Sequence, residues 1–166
     1  NEPQGLTYPK AARHLLRQDP QVLVLGEIRD DESAQIAVRT ALTGHLVIST
    51  LHAGSCQGVL ERLWSMVPDK FTVASAVSLV INQRLVRRVC KACQGAKCDV
   101  CVNTGYHGRM PVAEWIAVSD EVKARLRKEG PVGMGEVASD LNEQARALVA
   151  NGDTTPAEMD RVIGAC

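Results

Sequence analysis

Two side chains with catalytic potential stand at the ends of apolar runs. Glu27 ends the run VLVLGE, and His52 ends LVISTLH. A carboxylate beside a buried strand is costly unless it binds a cation or a polar partner. An imidazole can donate a hydrogen bond to an anion. The pair is therefore a candidate functional site. A plain ion pair of Glu27 with Arg29, and a histidine that merely ends a strand, are the structural alternatives.

A second group of chemically capable residues is the motif C-x-x-C-x4-C-x-x-C, formed by Cys90, Cys93, Cys98 and Cys101. Two close thiolate pairs suit one tetrahedral Zn²⁺ ion. Two disulfides, or a redox-active C-x-x-C, are alternatives. A chain that looks cytosolic favours reduced thiols and hence metal. Four protein ligands leave no open position, so the predicted zinc is structural.

Positive charges flank the four cysteines and would offset the double negative charge of a zinc tetrathiolate. The sequence predicts that several of them end a helix, where cations also suit its dipole. A solvated helix face and a nucleic-acid patch are alternatives for the same run. The residues are Arg84, Arg87, Arg88, Lys91 and Lys97. The other two cysteines, Cys56 and Cys166, receive no role.

A βαβ unit is predicted to position Glu27 and His52. Strands are expected at Val22–Leu25 and Leu46–Thr50, joined by a helix from Asp30 to about Leu42 that stops at Gly44. Val22–Leu25 shows no alternation, as expected of a strand covered on both faces. Such strands run parallel, and ligands lie at their carboxyl ends. Glu27 and His52 should therefore share one edge.

The remaining elements are predicted from the glycine, proline and helix-capping residues that begin or end them. A strand is expected at Met110–Val118, followed by a helix capped by Ser119 and a glycine-rich linker around 130–135. Helices are expected over Leu6–Gln18, Gln57–Met66, Phe71–Val89 and Val137–Ala150, and from Thr155 onward. A loop from Cys90 to about Gly105 carries the cysteines.

Several segments together resemble one protein family. LLRQDPQVLVLGEIRD resembles the Walker B segment, and ALTGHLVISTLHAG the His box, of the ATPases that drive type II secretion and type IV pilus assembly. INQRLVRRVCKAC and NTGYHGRMPVAEWIAVSDEV continue the resemblance, which covers roughly Leu6 to Val122. The four residues between the two cysteine pairs are fewer than in many relatives.

The resemblance implies roles for individual residues. Glu27 would serve the magnesium or orient the attacking water, and His52 would touch the γ-phosphate. A wider set would be associated with nucleotide and Mg²⁺: Gly26, Arg29, Asp30, His45 and Thr50. Asp30 serves equally well as a helix cap, and Thr50 as an ordinary strand residue. His45 precedes its strand and should lie at the end opposite to His52.

The phosphate-binding motif G-x-x-x-x-G-K-[ST] begins at none of the thirteen glycines. We therefore expect the C-terminal piece of a longer ATPase, inactive by itself. The expected fold is α/β: a partial RecA-like core over residues 1–89, a zinc loop over 90–105 and a mostly helical subdomain over 106–166.

Composition agrees with a globular piece of this kind. The chain has 166 residues, 45% hydrophobic and 3% aromatic, with no net charge. No apolar run approaches the ~20 residues of a membrane span, and we expect no signal peptide. The resemblance implies ATP and Mg²⁺ as cofactors of the intact enzyme. It further implies a cytoplasmic homohexameric ring that works an inner-membrane platform protein. The cysteines favour assembly or secretion motors over retraction motors.

Two other classes of function remain open from the sequence. A zinc-ribbon module for nucleic acid would need a basic stripe or stacking aromatic groups, and the chain has no net charge and few aromatic residues. A nonenzymatic assembly scaffold would not need the Walker B and His-box residues. We expect neither nucleic-acid binding nor direct insertion into a membrane.

Overall fold

The structure is a computed structural model that describes residues 20–164 continuously and, before them, residues 10, 11, 14, 15, 17 and 18. The helix predicted over Leu6–Gln18 lies largely outside the described residues, as does Cys166. The chain divides into two compact units, Asn1–Val80 with Ala117–Glu136, and Ile81–Ile116 with Val137–Cys166. Within the described residues, none of the helices has the length and hydrophobicity that spanning a bilayer requires.

The first unit contains the predicted βαβ arrangement. Strand β1 (Val22–Glu27) and strand β2 (Leu46–Thr50) are parallel and joined by helix α1 (Asp31–Leu42). Asp30 caps α1 by accepting a hydrogen bond from Ser33 N at 2.8 Å. The helix ends before Gly44, whose φ of 97° lies in the region that favours glycine. The prediction of these three elements is confirmed.

The expected burial of β1 on both faces is wrong. Leu23 and Leu25 are buried, whereas Val22 and Val24 are exposed, Val24 by 69%. The same alternation continues in β2, where Leu46 and Ile48 are exposed. An all-apolar strand looks identical in sequence whether one or both faces are covered. Within the described residues only one face of this sheet is packed.

Helices cover the packed face of β1 and β2. They are α1, α2 (Cys56–Met66) and α3 (Lys70–Ala76), whereas helix α4 (Asp120–Glu129) packs against α3. Leu63 and Val73 pack with Leu23 and Leu25 in one apolar cluster. Ser119 caps α4, as predicted. The expected linker after α4 is instead a 3₁₀ helix, Gly130–Met134, with Met134 buried.

The expected helix over Phe71–Val89 is wrong beyond its first turns. Helix α3 ends at Ala76, and Leu79–Val89 is strand β3, which pairs with strand β4 (Tyr106–Ala117). Hydrogen bonds from Cys90 N to Gly105 O and from Val118 N to Ser78 O join opposite ends of the two segments. The pairing is therefore antiparallel. The flanking arginines lie on a strand, so the helix-dipole argument fails.

The second unit packs two helices with β3 and β4. Helix α5 (Leu141–Ala150) starts four residues later than predicted, after its cap Asp140, and α6 (Pro156–Ile163) starts at the predicted cap Thr155. The loop between β3 and β4 includes a 3₁₀ turn, Asp99–Cys101. The core of this unit consists of Val86, Met110, Val112 and Leu141.

Candidate functional site

The carboxyl ends of β1 and β2 bring the first predicted pair of side chains together. The register pairs Glu27 with Thr50, with an irregularity between Leu25 and Glu27. His52 follows β2 by two residues. Because the strands are parallel and adjacent, both side chains emerge at the same edge.

Glu27 contacts a guanidinium and an imidazole at that edge. His52 Nε2 lies 3.2 Å from Glu27 Oε1, and Arg29 Nη2 lies 2.6 Å from Glu27 Oε2. The side chains of Arg29 and His52 are 78% and 87% exposed, and that of Glu27 is 25% exposed. The ion pair considered as an alternative for Glu27 therefore exists beside the contact with His52. Both partners remain open to solvent and to a ligand.

Electrostatics keep Glu27 ionised. The hydrogen bond from Arg29 lowers the pKa of the Glu27 carboxyl below its ordinary value, and the charges of Arg29 and His52 act in the same direction against partial burial. An ionised carboxylate accepts hydrogen bonds and can orient a water molecule or attract a cation. The exposed Arg29 and His52 can each donate to an anion beside it.

Thr50 and Gly26 hold the strand ends together rather than facing open space. Thr50 Oγ1 donates to Gly26 O at 2.7 Å, and Ile28 N donates to Thr50 O at 2.9 Å. These bonds span the irregularity in β1 and fix where Glu27 leaves the strand. Thr50 therefore acts here as a strand residue, whose hydroxyl links the ends of β1 and β2.

The hydrogen bonds of Asp30 and His45 are made to groups other than Glu27 and His52. Asp30 is engaged as the cap of α1. His45 Nδ1 lies 3.1 Å from Thr43 Oγ1, just before β2. Five strand residues separate His45 from the other end, about 16 Å at roughly 3.3 Å per residue. The predicted separation of the two histidines agrees with this placement.

One residue of the site was not predicted from the sequence. Arg62, on α2, donates from Nη1 to the backbone carbonyl of His52 at 3.2 Å. The contact joins residues ten apart and depends on how α2 packs back on the loop that precedes it. No local pattern of residues indicates it.

The four predicted metal ligands converge in the second unit. Their sulfur atoms all lie within 4.8 Å of one another. The separations are 3.9 Å for Cys90–Cys98, 3.8 Å for Cys93–Cys101 and 3.7 Å for Cys98–Cys101. Zn–S bonds of about 2.3 Å in a tetrahedron place sulfurs about 3.8 Å apart. The residues present fit such an ion, and all four thiols are free rather than joined in disulfides.

Backbone amides favour the thiolate form of Cys101, one member of this cluster. Burial would raise the pKa of the Cys101 thiol, but hydrogen bonds from Cys98 N and Gly105 N lower it to about 6. Gly105 has a φ of 76°, and a Cβ there would meet Gly95 O at 2.7 Å. Glycine at this position therefore allows the loop to close around the sulfurs.

The flanking cations are not all available to the cluster. Arg87 is held by Glu158, with 2.6 Å between Arg87 Nη2 and Glu158 Oε2, and lies 4.2 Å above the ring of Tyr106. Arg84 donates to Asn82 Oδ1 at 2.8 Å. Arg84 and Arg87 contact Asn82 and Glu158, so these two residues do not support the predicted neutralisation of a zinc tetrathiolate.

Comparison with known proteins gives a consistent family. A sequence model described as "Type II/IV secretion system protein" matches residues 1–161. The type II secretion system protein HxcR of Pseudomonas aeruginosa is 40% identical, over 95% of this chain and 36% of that protein. The type IV pilus assembly ATPase PilB of Thermus thermophilus is 38% identical, over 88% of this chain and 19% of that protein. The chain thus spans well under half of these relatives.

Solved structures show the same fold. The ATPase DotB of Yersinia pseudotuberculosis superposes with a TM-score of 0.74 at 20% identity, covering 95% of this chain and 40% of DotB. The pilus retraction motor PilT with bound ADP gives a TM-score of 0.72 at 23% identity, covering 93% of this chain and 43% of PilT. The α/β fold of this chain therefore resembles that of these two ATPases.

Proposed function

This chain belongs to the family of type II/IV secretion system proteins, and on that premise we propose that it is the C-terminal part of a longer motor ATPase. The intact protein would hydrolyse ATP to drive type II secretion or type IV pilus assembly. Residues 1–89 would complete a RecA-like core, 90–105 would form a zinc loop and 106–166 a C-terminal subdomain.

The contact between Glu27 and His52 carries this proposal. Glu27 is ionised and partly exposed, so it can accept a hydrogen bond from the attacking water and take up its proton. His52 is exposed beside it and can donate to a phosphate oxygen, distinguishing ATP from ADP. Arg29 would balance the charge of Glu27 until substrate is present.

Nucleotide and Mg²⁺ would lie at the carboxyl edge of β1 and β2. Bound Mg²⁺ supplies neutralisation of the phosphate charge. Of this chain's residues, Glu27 would face the metal and its water shell, with Gly26, Asp30 and Thr50 fixing the backbone around it. Family relatives extend well beyond this chain, and we assign the cradle for the phosphates to the remainder of the intact protein.

The tetracysteine loop would hold a structural Zn²⁺ ion through Cys90, Cys93, Cys98 and Cys101. With all four positions filled by thiolates, the ion has no open site for substrate. Its contribution would be to fold a loop too short to have its own core. The proposal rests on sulfur separations that match a tetrahedron.

The intact protein would act as a cytoplasmic ring of six identical subunits at the inner membrane, against a platform protein. The relatives named for secretion and pilus assembly support work with other components of such a system. The ring would use ATP hydrolysis to add pilin-type subunits. Nucleic acid is not among its expected partners.

Phosphate release measured on two proteins tests the ATPase proposal. The intact protein should hydrolyse ATP in the presence of Mg²⁺, and the 166-residue chain alone should not. A metal-free assay of the intact protein serves as the control. The proposal would be contradicted if the intact protein released no phosphate from ATP. It would also be contradicted if the 166-residue chain alone released phosphate at the same rate as the intact protein.

Metal analysis with thiol titration tests the zinc loop. Protein purified without oxygen should contain about one zinc per chain, and four thiols should react only after chelation and unfolding. The Cys98→Ser variant should lose the metal, whereas Cys56→Ser, outside the cluster, should keep it. Protein that carries disulfides between the four cysteines and no metal would refute the assignment.

A further inference from the structure

His52 is carried by a segment without regular backbone hydrogen bonding. Residues 51–55 lie between β2 and α2. Leu51 packs against the apolar cluster of the first unit, and Ser55 Oγ caps α2 by accepting from Gly58 N at 3.0 Å. These contacts fix the two ends of the segment. The backbone of His52 itself needs a further support if its ring is to stay beside Glu27.

Arg62 supplies that support from the neighbouring helix. Its Nη1 donates to the His52 carbonyl at 3.2 Å. Its Nε is buried without a hydrogen-bond partner, and among the described residues it forms no salt bridge to a carboxylate. A buried guanidinium nitrogen without a partner is costly. The hydrogen bond that Arg62 makes is thus to the backbone of His52, within the segment 51–55.

We propose that Arg62 is a positioning residue, which holds the backbone of His52 so that the imidazole stays within reach of both Glu27 and a bound phosphate. This inference rests on the proposed function. Arg62 acts through His52 rather than on substrate, and so differs from Arg29, which touches the Glu27 carboxylate directly. Small displacements of a group that orients substrate have large effects, because reactivity depends steeply on geometry.

A double-mutant cycle on the intact protein tests the inference by nucleotide binding, which does not require turnover. The measured quantity is the ratio of the dissociation constants for ADP and for a nonhydrolysable ATP analogue. Arg62→Gln should lower this ratio by roughly threefold or more, and in the His52→Ala background by less than about twofold. Arg62→Lys, which keeps a cationic donor on a longer side chain than that of Gln, should fall between Arg62→Gln and the wild type.

A matched control is Arg39→Gln, which removes an exposed arginine near the end of α1. It should leave the ratio unchanged, and thermal melting should show that all variants are folded. The positioning role would be overturned if Arg62→Gln lowered the ratio equally in both backgrounds. It would also be overturned if Arg62→Gln had no effect while His52→Ala lowered the ratio. In either case the proposed role of His52 would still stand. If the intact protein bound no ATP analogue, or His52→Ala left the ratio unchanged, the proposed role of His52 would fail and the positioning role with it.

Discussion

Two carboxylates in this chain show how the surroundings decide what a residue does. Glu27 is partly exposed, and its partners Arg29 and His52 are both open to solvent. Glu158 is fully buried and is bound by Arg87 and Arg161. The first can exchange partners when a ligand arrives. The second stabilises the fold.

Replacing Glu158 by Gln should destabilise the 166-residue chain. The Glu158 side chain accepts hydrogen bonds from the Arg87 backbone, from two nitrogens of the Arg87 guanidinium and from Arg161. We expect a loss of about 2–4 kcal/mol, because charged hydrogen bonds are lost while both arginines keep access to water. Urea unfolding measures it. Glu143→Gln, at an exposed position on α5, should change stability by less than about 0.5 kcal/mol.

The same residue predicts a dependence of stability on pH. The hydrogen bonds from Arg161, together with those from Arg87, overcome burial and lower the pKa of Glu158 from 4.5 to about 2. Its contribution should be complete above pH 4.5 and be lost as the pH falls toward 2. Unfolding free energies at pH 5 and pH 3 should therefore differ more for the wild type than for Glu158→Gln. A zinc ion held by the cysteines would be released by acid in both proteins alike, so equal differences would contradict the assignment.

At the scale of elements, the loop from Cys90 to Gly105 depends on a close backbone approach. Gly105→Ala should weaken zinc binding, because a Cβ would lie 2.7 Å from Gly95 O in a backbone of φ 76°. Strain of roughly 1.4 kcal/mol or more corresponds to a tenfold loss of affinity, measurable by chelator competition. Gly108→Ala has a similar φ of 80° but open space around it. A Gly108 variant that loses as much affinity as Gly105→Ala would refute the steric explanation.

The elements also show where sequence patterns are sufficient. The βαβ unit was predictable because capping by Asp30 and termination at Gly44 are local signals. The strand Leu79–Val89 was missed because Gln, Arg and Leu favour a helix moderately. Its pairing with Tyr106–Ala117 decides the outcome, and that partner lies seventeen residues further on. Tertiary pairing of this kind has no local signature.

In the candidate site too, features with a local sequence signal could be predicted and features that depend on tertiary packing could not. Glu27 and His52 could be placed on one edge because parallel strands of known order fix it. The spacing of the cysteines predicted that their four sulfur atoms would converge, as they do. Arg62 could not be found, because its bond to His52 depends on helix packing. The contact of Arg87 with Glu158 joins β3 to α6 across seventy-one positions. It could not be predicted either, because no local pattern of residues indicates so distant a partner.

At the scale of the whole molecule, one face of the β1–β2 sheet is apolar and exposed. Val22 pairs with Leu46 and Val24 with Ile48 in the parallel register, and all four are exposed. Contiguous exposed apolar side chains of this kind mark surfaces that are covered by a partner. If the chain is part of a longer ATPase, the rest of that protein is the expected cover.

Val24→Lys should therefore have different effects in two contexts. In the 166-residue chain it should change stability by less than about 0.5 kcal/mol, since the side chain is exposed. In the intact protein it should cost several kcal/mol, because a charge would be buried without a partner. Thermal melting of both proteins measures the difference, with Val132→Lys, exposed in the 3₁₀ helix, as the control. Equal tolerance in both contexts would show that this face stays open.

Hydrolysis by the intact protein carrying Glu27→Gln is the most direct test of the account. We predict a fall in kcat of roughly 100-fold or more, since general-base catalysis is worth about that much, while affinity for ATP changes less than about threefold. Glu136→Gln removes the same charge at an exposed site and should match the wild type. A Glu27→Gln enzyme that hydrolyses ATP at the wild-type rate would contradict the central claim that this edge is the catalytic one.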